Sequence, residues 1–149
     1  EFIKAAYDYQ DNTFHSHPGY YIDYFEMRLA QLQVLHNLHY EIKKIRKMPK
    51  QALVIADYIM YMADYVVEMN IPDQQIEKLE EISEQMKQEE LPKTREEFEG
   101  RALLYHILMD LEEFLVYKKR FVSGLDEKKL RIYWKQEMEQ KDSANELQK

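Results

Sequence analysis

Apolar residues recur every three or four positions along most of the chain, which is the spacing of one face of an α-helix. The first long run predicts a helix of about 25 residues, roughly 40 Å long, that ends near Lys47 because Pro49 follows. The polar stretch before it, residues 10–19, ends in Pro-Gly and is predicted to be a loop. We expect the apolar positions of this helix to face the core; they are Ile22, Phe25, Leu29, Leu32, Leu35, His39, Ile42 and Ile45.

Two further helices are predicted between Pro49 and Pro92. The second helix of the chain is stopped by Pro72, after Asn70, and the third is rich in Glu and runs from about Asp73 to Glu89. The predicted core positions of the second are Ala52, Ile55, Ala56, Ile59, Met62, Ala63 and Val66. Those of the third form a narrower stripe of Ile76, Leu79, Ile82 and Met86.

The fourth helix has the clearest start. Thr94 followed by Glu97 forms the pattern of a capping box, in which the two side chains bond to free backbone amides at a helix start. This helix is predicted to run to about Val122, and residues 102–109 are apolar on nearly all sides, so we expect it to be the most buried. A short helix is then predicted from about Asp126 through Trp134, followed by a charged tail.

Four substantial helices with short connections predict an all-α fold, an up-down antiparallel four-helix bundle with extra terminal helices. We expect a helix and loop over residues 1–19, the bundle over residues 20–122, and a C-terminal helix with a charged tail over residues 123–149. The chain opens on an apolar-periodic stretch without an initiator Met or a signal peptide, so we expect a further part to precede it.

The composition narrows the classes of function. Only three Gly and four Pro occur in 149 residues, which excludes an all-β fold, and the absence of Cys excludes disulfides and cysteine-based zinc sites. The 28 acidic against 21 basic residues give a net charge of −7, which argues against a nucleic-acid partner. The longest apolar run, residues 52–63, is interrupted by Asp57 and is too short to span a bilayer, so we expect this chain to be soluble.

Metal and catalytic patterns are sparse. No acidic residue precedes a His by three positions, so the Glu-x-x-His motif of di-iron and di-manganese bundles is missing, and we expect no cofactor and no tightly held metal. His36 and His39 lie one turn apart without a carboxylate to complete a site. His106, Asp110 and Glu113 share one side of the fourth helix, where a hydrogen-bonded pair, a weak metal site and a proton relay remain alternatives. We predict no catalytic residues and no enzyme activity.

Tyrosine is unusually abundant, with 12 residues. Tyrosines suit packing at the rim of a bundle, where one end of the side chain is apolar and the other wet. The alternative is a pocket for a small aromatic acid, with an arginine to meet the carboxylate. The candidate ligand-binding residues are Tyr105, Arg101, Tyr24, Tyr58 and Tyr61.

Several runs of residues together carry a resemblance to a known family. The most specific is Leu91-Pro92-Lys93-Thr94-Arg95, which continues through Glu99; the others are residues 101–105, Leu108, residues 111–112, residues 114–115, Lys118, residues 24–28 and residues 31–32. Residues 20–118 resemble the C-terminal domain of the putative aromatic acid exporter family.

This resemblance implies a helical-bundle domain on the cytoplasmic side of the cell membrane, preceded by a membrane-spanning half to which residues 1–19 would link. It implies transport of aromatic carboxylates by the whole protein, with the membrane half as a partner of this domain. Our interpretation is an assembly or regulatory role for this non-catalytic domain, and a second copy of the chain and a small aromatic acid are further candidate partners. The alternative is a domain that senses a small aromatic acid and gates the membrane part. A metal-dependent enzyme would instead require an occupied site around His106.

Overall fold

The computed structural model describes residues 18–134, which form five helices and no strand. The predicted N-terminal helix and the charged tail fall on residues 1–17 and 135–149, which lie outside the described residues. The predicted all-α fold, a four-helix bundle with an additional helix, is confirmed. In chain order the helices are α1 Pro18–Lys43, α2 Ala52–Ala63, α3 Asp73–Lys87, α4 Arg95–Ser123 and α5 Glu127–Tyr133.

The four long helices alternate in direction. The Tyr20 ring, at the start of α1, contacts the Phe121 ring at the end of α4, so these two helices are antiparallel. Asp73, at the start of α3, forms an ion pair (3.1 Å) with Lys119 near the end of α4, so these two helices are antiparallel as well. Because α4 packs against α1, α2 and α3, it is the central helix of the bundle.

The main core lies around α4. This helix is central as predicted, but it is not buried on all sides: Leu108 is 3% exposed, whereas the next residue, Met109, is 67% exposed. The predicted stripe of α3 does face the core. The buried side chains of the main core are Val34, Leu38, Ile55, Tyr58, Met62, Leu79, Ile82, Met86, Leu104, Ile107, Leu108, Leu111, Phe114 and Leu115.

The core face predicted for the first helix is wrong. Of the eight predicted positions only Ile45, which lies beyond the end of α1, packs against the main core, and the other seven are exposed. The helix carries two apolar stripes, and it is the other one that faces α4. That buried stripe consists of Tyr20, Met27, Gln31, Val34 and Leu38.

The helix starts were predicted better than the ends. The Thr94 hydroxyl accepts a hydrogen bond from the Glu97 amide (3.1 Å), and the Glu97 carboxylate accepts one from the Lys93 amide (2.8 Å), which confirms the capped start of α4. By contrast, α2 ends at Ala63, well before the predicted Asn70, and α1 ends at Lys43. Pro18 and Gly19 belong to α1 and not to a loop.

Two turns replace the predicted last part of α2. The amides of Tyr65 and Val66 bond to carbonyls three residues earlier, which is a tighter winding than that of an α-helix. The Lys118 ammonium of α4 then donates to the carbonyl oxygens of Val67 (2.8 Å) and Glu68, which no longer bond within a helix. A long-range contact, which local periodicity does not encode, therefore shapes this segment.

Candidate functional site

Three ligand-type side chains meet between α1 and α4. His106 and Asp110 are four residues apart on α4 and therefore share one face of that helix. Glu41, from the last turn of α1, reaches the same place because the two helices run antiparallel. Its carboxylate accepts a contact of 2.8 Å from the His106 Nε2, and one ligand atom from each of the three side chains lies within 4.8 Å of the others.

The electrostatics of this Glu41–His106–Asp110 cluster are dominated by the two carboxyl groups. Burial is the largest cause that raises the pKa of Glu41, and hydrogen bonding to and charge repulsion from Asp110 add to it. The charges of His106 and Lys44 act in the opposite direction, and the resulting pKa is about 7. Glu41 Oε2 and Asp110 Oδ2 are both buried and no donor among the described residues reaches them, so a hydrogen bond between the two carboxyl groups requires a proton on one of them.

The sequence analysis found only part of this cluster. It placed His106 and Asp110 one turn apart, but it grouped them with Glu113, which instead accepts a hydrogen bond from the Tyr117 hydroxyl (3.1 Å). It missed Glu41, although Glu41 continues the buried stripe of α1 three residues after Leu38. His36 and His39, the other candidate pair, are exposed, and both rings contact the Tyr40 ring.

The five residues proposed to bind an aromatic acid lie on three different helices, α1, α2 and α4. Tyr24 stands near the start of α1, where its hydroxyl accepts a hydrogen bond from the Arg28 Nε (3.0 Å) and its ring contacts Phe121. Tyr58 is buried in the main core, and its hydroxyl donates to the Gln75 carbonyl (2.7 Å). Tyr61 lies beside it, with the Lys78 ammonium over its ring at 3.8 Å.

Arg101 and Tyr105 both lie in the first half of α4. Tyr105 packs against the main core, whereas Arg101 lines a cleft of about 620 Å³ at the end of the bundle. None of the four candidate tyrosines lines this cleft, and Arg101 donates a hydrogen bond to the Glu90 carbonyl there. The cleft has Lys47, Lys50 and Lys93 in its wall together with Glu89, Glu90, Glu96 and Glu97, so its charges offset one another.

A second, aromatic cluster attaches α5 to the opposite end of the bundle. The Tyr20 and Tyr133 rings stack with centroids 3.9 Å apart, and the Trp134 indole donates to the Tyr20 hydroxyl (3.0 Å). The Tyr20 hydroxyl in turn donates to the Glu68 carboxylate (2.9 Å). Burial raises the pKa of Tyr20, so these tyrosines act here as packing and hydrogen-bonding groups.

The exposed stripe of α1 is a row of large apolar side chains. We define the outer α1 face as the five large apolar side chains that point away from α4, namely Ile22, Phe25, Leu29, Leu32 and Leu35. All five are at least 40% exposed, and Leu29 and Leu32 are more than 60% exposed. Scattered single apolar residues are ordinary on a protein surface, whereas large contiguous apolar patches are typical of interaction sites.

Comparison with known proteins confirms the resemblance predicted from the sequence. The family model described as putative aromatic acid exporter C-terminal domain matches residues 1–119. The chain is also similar to the uncharacterized protein YqjA of Bacillus subtilis (strain 168), with 29% identity over 118 residues, which cover 79% of this chain and 37% of that protein. No solved structure matches the chain significantly.

No helix among residues 18–134 is both long enough and apolar enough to cross a bilayer.

Proposed function

The chain belongs to the putative aromatic acid exporter C-terminal domain family, and on that premise we propose that it is a cytoplasmic, non-catalytic domain that assembles the membrane part of an exporter. The chain spans little more than a third of the length of the curated relative that it matches, which is consistent with a larger protein to which such a domain is attached. Export of aromatic carboxylates would be the activity of that whole protein.

The outer α1 face is the observation that carries this proposal. Its five large apolar side chains have no partner among the described residues that buries them, although the opposite side of the same helix is fully packed. Burial of such a row in an interface would contribute a favourable free energy of about 25 cal/mol for each Å² of apolar surface removed from water. A second copy of the chain is the occupant that we propose.

The spacing of the outer α1 face supports pairing with a second copy. Ile22, Phe25, Leu29 and Leu32 follow one another at intervals of three, four and three residues, which is the a/d spacing of a two-stranded coiled coil. One face then meets its own copy across a two-fold axis, as in most homodimers. Attachment to a membrane part raises the effective concentration of the two domains, so a weak contact is sufficient.

The full-length protein provides the test of this role. Deletion of the domain is expected to leave the membrane part inserted but to reduce the size of the purified complex and the export of an aromatic carboxylate. The double substitution Leu29→Gln and Leu32→Gln should reproduce the loss, since it removes only the outer α1 face. Leu53→Gln with Met60→Gln is the matched control, because both of these side chains are exposed on α2. Unchanged complex size and export after deletion would refute the proposal.

The alternative function, sensing of a small aromatic acid, has its own test. Calorimetric titration of the chain with hydroxybenzoates would give saturable heat if Tyr105 and Arg101 bind the ligand, and Arg101→Gln would weaken it. An assembly surface without a preformed pocket should give no saturable heat. Saturable binding that depends on Arg101 would therefore favour the sensing role over the assembly role.

A further inference from the structure

The Glu41–His106–Asp110 cluster contains two oxygen atoms that the bundle leaves without a partner. Glu41 Oε2 and Asp110 Oδ2 are buried and accept no hydrogen bond. Buried carboxylate oxygens are normally paired because their desolvation is expensive. The His106 imidazole contacts only the other oxygen of Glu41, Oε1. A shared proton, a water molecule or a cation between the carboxyl groups would provide the missing partner.

A metal ion accounts for the arrangement of the donor atoms in this cluster better than a shared proton does. A proton between the carboxyl groups needs no imidazole, whereas here the His106 Nε2 approaches the same pair, and donors from three residues lie within 4.8 Å of one another. Donors around a tetrahedral ion, each about 2.0–2.1 Å from it, are separated by about 3.3 Å. The distance from His106 Nε2 to Glu41 Oε1 is 2.8 Å and the ligand atoms of the cluster lie within 4.8 Å of one another, so their spacing is of this order.

The structure assigns a binding site for one divalent first-row transition-metal ion to Glu41, His106 and Asp110. One imidazole nitrogen with two carboxylates is a donor set that suits Zn²⁺, Mn²⁺ or Fe²⁺. Two carboxylates neutralise the charge of such an ion, and the half-exposed His106 leaves a path for the ion and a coordination position for water. The sequence alone predicted too few ligands because the third ligand comes from α1, and this site is independent of the assembly role.

Binding of Zn²⁺ to the purified chain, measured by competition with a chromophoric chelator, tests the site. We expect one ion per chain in the wild-type protein. His106→Asn should weaken the affinity at least about 10-fold, since loss of even a group that only supports a metal ligand costs 10–100-fold. The matched control is the double variant His36→Asn and His39→Asn, which removes the exposed pair on α1 and should bind as the wild type does. Mg²⁺ should bind far more weakly, because it prefers a site built entirely from oxygens.

Two results would overturn the assignment. One is the absence of saturable Zn²⁺ binding by the folded wild-type chain, which would leave a shared proton or a water molecule as the partner of the two oxygens. The other is loss of binding in the His36 and His39 variant with retention in His106→Asn, which would place the ion on the surface.

A spectroscopic measurement identifies the metal ligands directly. Co²⁺ added to the wild-type chain should give visible absorption bands characteristic of nitrogen and oxygen ligation, and these bands should change in Asp110→Asn and vanish in His106→Asn. Bands that are identical in the wild type and in His106→Asn would exclude the imidazole as a ligand. Circular dichroism on the same samples checks that each variant is helical.

Discussion

Glu41 brings an ionisable group into the α1–α4 interface, and this makes the stability of the protein depend on pH. Its pKa is raised from 4.5 to about 7 by burial and by Asp110, against the opposing charges of His106 and Lys44. A carboxyl with a higher pKa in the folded state binds its proton more tightly there, so the free energy of unfolding falls as the pH rises from about 4.5 to about 7. Above about pH 7 the ionised Glu41 carboxylate destabilises the folded state to its full extent.

Glu41→Gln keeps the shape of the side chain and removes its charge. In the presence of a metal chelator, we expect this variant to be more stable than the wild type at pH 8 by on the order of 1–3 kcal/mol. The difference should shrink toward zero near pH 4, where the wild-type carboxyl is protonated in both states. Urea unfolding across this pH range is the measurement, with the exposed acid Glu112→Gln as the control. Equal stability of both proteins at pH 8 would contradict the assignment of Glu41 as a buried, repelled carboxyl.

At the level of the elements, the Thr94 hydroxyl caps the start of α4. Thr94 satisfies the Glu97 amide, and the hydrogen bond from the Lys93 amide is the leading cause that lowers the pKa of Glu97. Thr94→Ala should lower the free energy of unfolding by roughly 1 kcal/mol through loss of the cap. Thr94→Ser, which keeps the hydroxyl, should restore most of it. An alanine variant as stable as the wild type would mean that the cap contributes nothing.

The central position of α4 gives a second prediction for this element. Leu108→Ala should lower the free energy of unfolding by about 2–5 kcal/mol, because it leaves a cavity in the main core. Met109→Ala, one position along the same helix, should change it by less than about 0.5 kcal/mol because that side chain is largely exposed. Equilibrium denaturation of both variants checks this contrast, and similar losses in the two would show that α4 is rotated about its axis relative to the structure described here.

Local sequence patterns predicted the helices and the inner face of α3, but not the inner face of α1. Helix starts at Asp73 and Thr94 follow from proline and capping chemistry, which act within a few residues. The inner face of α1 could not be chosen, since Leu29 and Val34 lie on two stripes of similar apolar character. The choice depends on the register against α4, and so does the meeting of Glu41 with His106. Both are long-range packing events that no local pattern encodes.

For the whole molecule, the bundle combines a well-packed α4 with an α1 whose outer face is left uncovered by residues 18–134. That asymmetry is unusual for a helix with apolar residues on both sides, because folding alone would favour burial of both stripes. We propose that the outer α1 face completes its burial in a second copy. If the chain is attached to a membrane part, as proposed above, two such domains would be held close together.

Sedimentation equilibrium of the purified chain over a concentration series tests the proposed pairing most directly. We expect the wild-type chain to shift from monomer to dimer as its concentration rises, and the Leu29→Gln, Leu32→Gln variant to remain monomeric. The Leu53→Gln, Met60→Gln variant should dimerise as the wild type does. A wild-type chain that stays monomeric at every concentration, or a Leu29→Gln, Leu32→Gln variant that dimerises equally well, would contradict assembly through the outer α1 face.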